Sequence, residues 1–315
     1  LEDSWMVDAL LQMCSSMGFF ATFSIDERVM VKFIYAVRLL YHDQNSFHNW
    51  RHAWSATHCA YMILRDTTAG RLLDETHRLT VLLSVLVHDL DHPGVNSDFL
   101  IKSASPIAIN YPTPNVLEHM HWDRATRLLE DGAETDVLGG LDREQKQRVL
   151  DLVFHGIMAT DMQNHKALMQ DLGERVDKQQ AGEAPFDTAN PEDMRALLKI
   201  VVHASDLSGQ CMDPDVAYEF GKRVLEEFYN QAQKERAEQL PESVFMKNLH
   251  VPLSQAKAQL GFLHYVVSPL WKRMCQLFPE LEPLAGRVEE RATEIDFDDL
   301  SSWKGVNATL VEKGE

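Results

Sequence analysis

The sequence predicts an all-α protein, a compact body of many medium-length helices, on three observations. Apolar residues recur at helical spacing in segment after segment, as with Val216, Phe220, Val224, Leu225 and Phe228. Alternating strands and internal repeats are absent from the pattern. Prolines fall between the periodic runs, as in Tyr111-Pro112-Thr113-Pro114-Asn115, where they forbid a helix interior.

Taken in order, 1–40 reads as two amphipathic helices. The second begins at Ser24-Ile25-Asp26-Glu27, with Ser24 as N-cap and Glu27 at the capping-box position. A polar turn over 41–46 leads into helical periodicity over 50–65, and a strongly apolar core helix follows over 74–88. Short helical pieces are expected at 96–100 and 106–110, then a helix over 116–130 and an acidic connection over 131–140. Helices over 141–160 and 161–172 precede a polar stretch, 173–191, expected to be an exposed loop. Helices over 192–207 and 214–238 follow, then an apolar run over 253–277 that Pro269 should kink or break, a surface helix over 285–303 and a frayed tail to Glu315.

The 315 residues can bury a large core, and one domain spanning 1–315 is the expectation, although length alone also allows two. The 30 basic and 48 acidic residues give 30 − 48 = −18, which argues against general binding to nucleic acid or anionic membranes. Cys14, Cys59, Cys211 and Cys275 are widely spaced and read as thiols of a reducing compartment. No apolar run reaches the ~18–20 residues of a membrane span and no signal peptide is visible, so a cytoplasmic location is expected. The chain starts at Leu1 rather than Met, which suggests a domain excised from a longer protein.

The chemistry concentrates at His88-Asp89-Leu90-Asp91-His92-Pro93-Gly94, four ionisable residues arriving at the end of the core helix. Burying them is costly unless something compensates their charge, and a divalent metal does so by bonding each donor. The plainer alternative is a helix end emerging into water. Elsewhere, His48 and His52 stand four apart, so that on a helix they would share one face, and Asp206 ends another apolar run. The set His52, His88, Asp89 and Asp206 suits zinc, with oxygen-rich positions left for magnesium or manganese.

Six motifs then occur in one order: Phe47-His48-Asn49-Trp50-Arg51-His52-Ala53; His88 to Asn96; Val116-Leu117-Glu118-His119; Ala159-Thr160-Asp161-Met162; Ala204-Ser205-Asp206-Leu207-Ser208; and Gln259-Leu260-Gly261-Phe262 ahead of Pro269-Leu270-Trp271. Together they resemble the class I 3′,5′-cyclic-nucleotide phosphodiesterase catalytic domain, within the HD metal-hydrolase group. The resemblance implies a compact helical catalytic domain that cleaves cyclic AMP, and cyclic GMP as well, to 5′-monophosphates. It implies that His52, His88, Asp89 and Asp206 hold a tight ion, zinc. Asp89 would bridge to a second, magnesium or manganese, with a hydroxide held between them. His48 would be the general acid to O3′. Glu118 would orient it or meet metal-bound water, with His92 and Thr160 as supporting groups. Gln259, Phe262, Val224 and Asn49 would bind the substrate, Phe262 stacking on the purine and Val224 closing its other face.

Three departures matter. Phe47 stands where the family has tyrosine, His119 where Asn is common, and Gly209 where the adenine-selective branch carries Asn. Loss of that amide removes one base-reading hydrogen bond and suggests dual specificity. Asp91 receives no role, and homodimerisation is left open. Two rival readings are an HD-type nucleotidase or dNTP hydrolase, which the Gln259 and Phe262 positions oppose, and a helical regulatory module with a structural metal. Structural sites are closed, which opposes the latter.

Overall fold

The computed structural model describes residues 2–131, 134–293, 300 and 305–313, and among these every regular element is a helix. The chain opens with α1 (Glu2–Ser16), α2 (Phe19–Thr22) and α3 (Glu27–Leu40), followed by α4 (Trp50–Asp66), α5 (Thr68–Leu72) and α6 (Glu75–Val87). Next come α7 (Ser97–Lys102), α8 (Pro106–Asn110), α9 (Val116–Thr126), α10 (Arg143–Met158) and α11 (His165–Gln180). The last third comprises α12 (Pro191–Asp206), α13 (Pro214–Ala237), α14 (Pro252–Phe262), α15 (Ser268–Leu277), α16 (Glu282–Thr293) and α17 (Ala308–Lys313).

Helix α6 is the axis of the body. Asp74 caps it by accepting the His77 N–H at 2.8 Å, and every residue from Leu79 to Val87 is buried. Each of its large apolar side chains contributes about 1.5–3 kcal/mol by leaving water. That gain offsets the cost of presenting His88 and Asp89 at its buried end. Around it lie α4, α10 and α12. The approach of α10 is close because Gly156 has no side chain: a Cβ there would come within 2.3 Å of Ser84 Oγ.

Five local expectations change. Asp26, not Ser24, caps α3, accepting the Arg28 N–H at 2.7 Å, while Ser24 sits in the left-handed region at φ 52°. The polar stretch after Leu172 is largely helix, since α11 continues to Gln180. The loop that remains is anchored by Arg175, which donates to Pro185 O and Asp193 Oδ1 at 2.9 and 3.0 Å and lies over the Phe186 ring. The expected helix over 285–303 begins at Glu282 and is described to Thr293, the rest lying outside the described residues. The expected frayed tail instead contains α17, whose Leu310 is fully buried against Leu225, Tyr229 and Met246. The 253–277 run is not interrupted at Pro269: α14 passes through a π-helical turn, Leu263–Val267, directly into α15, and the wider turn ahead of the proline accommodates the residue that lacks an N–H.

Candidate active site and metal centre

Three helix ends converge on one point. His52 comes from the first turn of α4, His88 and Asp89 follow α6, and Asp206 closes α12. His52 Nε2 lies 3.0 Å from Asp206 Oδ1 and 3.3 Å from Asp89 Oδ2. His88 Nε2 lies 3.0 Å from Asp89 Oδ2 and 3.2 Å from Asp206 Oδ1, and the two imidazole Nε2 atoms are 3.1 Å apart. Donors about 2.0–2.2 Å from a tetrahedral zinc ion stand at about these separations. His88 Nδ1 is 2.7 Å from Val85 O, so the Nδ1–H donates there and Nε2 faces the cluster. Asp89 Oδ2 is buried and faces only the two imidazole Nε2 atoms, a position in which a cation would satisfy it. Burial by itself would raise Asp89 and Asp206, but the His88 charge outweighs it and holds both below the usual carboxylate range. His88 is raised well above its ordinary value against its own burial by those same two carboxylates. The cluster thus draws positive charge into itself, and its donor set fits a divalent ion.

Asp89 also faces a second set. With His92 and His121 it forms another group of donors within 4.8 Å of one another. His121 Nδ1 donates to Leu90 O at 2.6 Å, whereas His92 Nδ1 accepts the Gly94 N–H at 3.0 Å, leaving the His92 proton on Nε2. Burial, and for His92 the neighbouring His48 charge, keep both imidazoles neutral; His121 is pushed down to about 4.

His48 stacks on His92 with ring centroids 4.0 Å apart, and its Nδ1 is hydrogen bonded to Glu227 Oε1. Glu227 Oε2 takes the backbone N–H groups of Phe47 and His48 at 2.9 and 3.1 Å. Burial works against a charged His48, yet Glu227 and then Asp89 prevail and lift it to about 9. Conversely Glu227, despite burial, is pulled down to about 2 by the His48 charge. The residue holding His48 is therefore Glu227 and not Glu118, which corrects the orienting role expected of the latter. Glu118 instead lies beside Asp161, raised to about 8 by burial and then by that carboxylate, with Oε2 buried and unpartnered. Sequence spacing carried a signal for Glu227: it is three residues from Val224 and seven from Phe220, on the apolar stripe of α13.

These groups open on a cavity of about 770 Å³ whose lining includes His48, His92, Glu118, Thr160, Val224, Gln259 and Phe262. Thr160 Oγ1 donates to Ile157 O at 2.8 Å, so its lone pairs remain available. Gln259 Nε2 donates to Gln210 Oε1 at 2.7 Å. Arg291, which can only donate, holds the same oxygen at 2.7 Å and Gln210 O at 2.6 Å, and this fixes which way round the Gln259 amide lies. Gly221 makes the space, since a Cβ there would press on that amide at 3.0–3.2 Å. Sequence reasoning missed Gln210 and Arg291, which are brought together across the fold with no local pattern to mark them.

Asn49 does not border the cavity, which corrects its expected substrate contact. Its oxygen caps α4 by accepting from Arg51 N and His52 N at 3.0 and 3.4 Å, and its amide donates to Asn45 O and Ser46 O. It thus aims His52 rather than touching a ligand. Asp91, without a role in the sequence, adopts the left-handed φ of 61° that Asp tolerates. It receives His42 Nε2 at 2.7 Å and Arg124 Nε at 2.9 Å, and its N–H donates to Leu40 O at 2.9 Å. This clamp ties the turn after Asp89 to α3 and α9. Asp91→Ala is expected to lose about 1–3 kcal/mol of stability, read from the urea midpoint, with bound-metal stoichiometry retained.

The fold and site define an all-helical domain with an imidazole–carboxylate centre able to hold a divalent ion. The family model described as 3′5′-cyclic nucleotide phosphodiesterase matches residues 47–288, and the chain belongs to that family. It is 30% identical over 274 residues to the probable 3′,5′-cyclic-AMP phosphodiesterase pde-4 of Caenorhabditis elegans, covering 86% of this chain and 40% of that relative. It is 27% identical over 283 residues to the Homo sapiens high affinity cGMP-specific 3′,5′-cyclic phosphodiesterase 9A, covering 90% and 46%. The chain thus spans less than half the length of these relatives. The crystal structure of the phosphodiesterase domain of the RhoPDE fusion protein from the choanoflagellate Salpingoeca rosetta superposes with a TM-score of 0.86 at 27% identity, covering 99% of this chain and 92% of that one. No described helix is long and apolar enough to cross a membrane.

Proposed function

We propose that this chain hydrolyses the 3′,5′-cyclic phosphate of cyclic AMP and cyclic GMP to the 5′-monophosphates. The carrying observation is the junction, in one 770 Å³ cavity, of the metal-type donor cluster with His48 on one side and Gln259 and Phe262 on the other. An open cavity next to the cluster favours catalysis over a closed structural metal, and the family membership disfavours a nucleotidase.

His52, His88, Asp89 and Asp206 would hold the tighter ion, zinc, and Asp89 would face a second, magnesium or manganese. When bound, such ions activate water and neutralise phosphate charge. The protein's own groups do the rest. His48, kept protonated by Glu227, gives its proton to O3′ as the P–O3′ bond breaks. The neutral His92 stacks behind it, its Nδ1 pinned by Gly94, and Glu118 and Thr160 offer oxygens to water on the cavity wall. Phe262 and Val224 enclose the base while Gln259 reads its edge. The four cysteines are free thiols, which supports a cytoplasmic setting. The apolar cluster running from Met6 to Ala292 supports one catalytic unit.

Gly209 lines the cavity without a side chain that could reject either purine. The ratio of kcat/KM for cyclic AMP and cyclic GMP is therefore expected to stay within ~100-fold, because large discrimination requires a dedicated buried hydrogen bond. Paired kinetics with both metals controlled measures it, and a larger ratio overturns the dual reading. Gln259→Ala should raise KM for both nucleotides by ~10-fold or more and change kcat less.

A further inference from the structure

A second cavity, about 800 Å³ and as large as the catalytic one, lies where α6 and α12 begin. These helices rise about 1.5 Å per residue, so its floor is about 20 Å from the ligands at their far ends. Its lining includes Arg71, Arg78, Arg148 and Arg195 against Asp74 and Asp151. Arg71, Arg148 and Arg195 are each ion-paired, with Glu280, Asp74 and Glu192, while Arg78 has no carboxylate partner among the described residues.

Their donors are only partly used. Arg78 gives Nε to the carbonyls of Gly70 and Leu73 at 2.8 and 2.9 Å, and neither terminal amino group has a partner among the described residues. Arg148 reaches Asp74 through Nη2 alone, at 2.8 Å. Arg195 is held by Glu192 at 2.8 Å and more loosely by Asp151 at 3.5 Å, and its Nε is buried without a partner. Arg71 is committed to Glu280 and Thr68. Spare guanidinium donors from separate helices, α6, α10 and α12, thus surround one space, and Leu152 and Met194 form an apolar part of its wall. Planar forks with unfilled N–H groups match phosphate oxygens in pairs.

We propose that this cavity is a binding site for a small anion carrying a phosphate group, separate from the catalytic centre. Arg78 and Arg148 supply its main donors, with Arg195 beside them. The test is calorimetric titration of the full chain with inorganic phosphate and with ADP, at constant ionic strength set by chloride. Chelator-treated protein and, separately, the Asp206→Ala protein keep the metal centre from taking the ligand. Saturable one-site binding in both backgrounds is expected. Arg148→Gln should weaken it ~10-fold or more, and Arg78→Lys, which keeps charge but loses the fork, should also weaken it. Circular dichroism checks that each variant is folded. Tighter binding of ADP than of phosphate places an organic phosphate in the site, and equal binding places free phosphate there. No saturable binding, or affinity unchanged within ~2-fold in both arginine variants, overturns the proposal.

Discussion

Asp206→Ala is expected to lower kcat for cyclic nucleotide hydrolysis by ~10³-fold or more, with loss of the tightly held divalent ion. The size follows from the geometry. Asp206 Oδ1 lies 3.0 and 3.2 Å from the Nε2 atoms of His52 and His88, so its removal takes away one corner of a four-donor set. A metal ion stabilises developing phosphate charge by several kcal/mol, and each 1.36 kcal/mol is tenfold in rate. Elemental analysis of the purified variant, alongside kcat at saturating substrate, makes the check. If the variant retains both its metal and its rate, the centre assigned to His52, His88, Asp89 and Asp206 is wrong. Removal of metal from the wild type with a chelator should give the same loss, reversed by zinc with magnesium or manganese.

The second large effect belongs to the proton. His48→Asn should cost about 10²–10⁴-fold in kcat, the usual worth of a positioned general acid. The loss should nearly vanish on an aryl phosphodiester whose phenolate leaves without protonation, a contrast that a merely structural defect would not produce. Glu227→Gln tests the same step from behind. His48 acts in its protonated form, so activity declines as pH rises through its titration, which Glu227 and Asp89 lift to about 9 against the effect of burial. Removing the Glu227 charge lowers that value, and the alkaline limb of kcat/KM should move to lower pH. A pH profile superimposable on the wild type would exclude the pairing as the source of the proton.

Much of the site was legible because its chemistry is local. His88, Asp89 and Asp206 stand out as ionisable residues at the ends of apolar helical runs, where a bound cation would repay their burial, and His48 and His52 by their spacing of four. The helices were legible for the same reason, since a 3.6-residue period is written within each segment. What escaped the sequence was the identity of partners drawn from far away. Glu227 is 179 residues from His48, and Arg291 is 81 from Gln210. Asn49 misled because an N-cap and a substrate ligand use the same side-chain amide, and only the positions of the N–H groups of Arg51 and His52 distinguish them. The stretch after Leu172 misled because its polarity suits an exposed helix face as well as a loop.

The sequence by itself determined the fold class, most of the helices and a candidate set of donor residues, because periodicity and the cost of burying charge act within a few turns. The tertiary structure alone decided that Glu227 holds His48, that Gln210 and Arg291 fix the Gln259 amide, and that Asp91 clamps the ligand-bearing turn. It alone also gathered four arginines into a second cavity. Hydrogen bonds of this kind depend on distances of about 3 Å and on direction. Those are set only when helices distant in sequence dock.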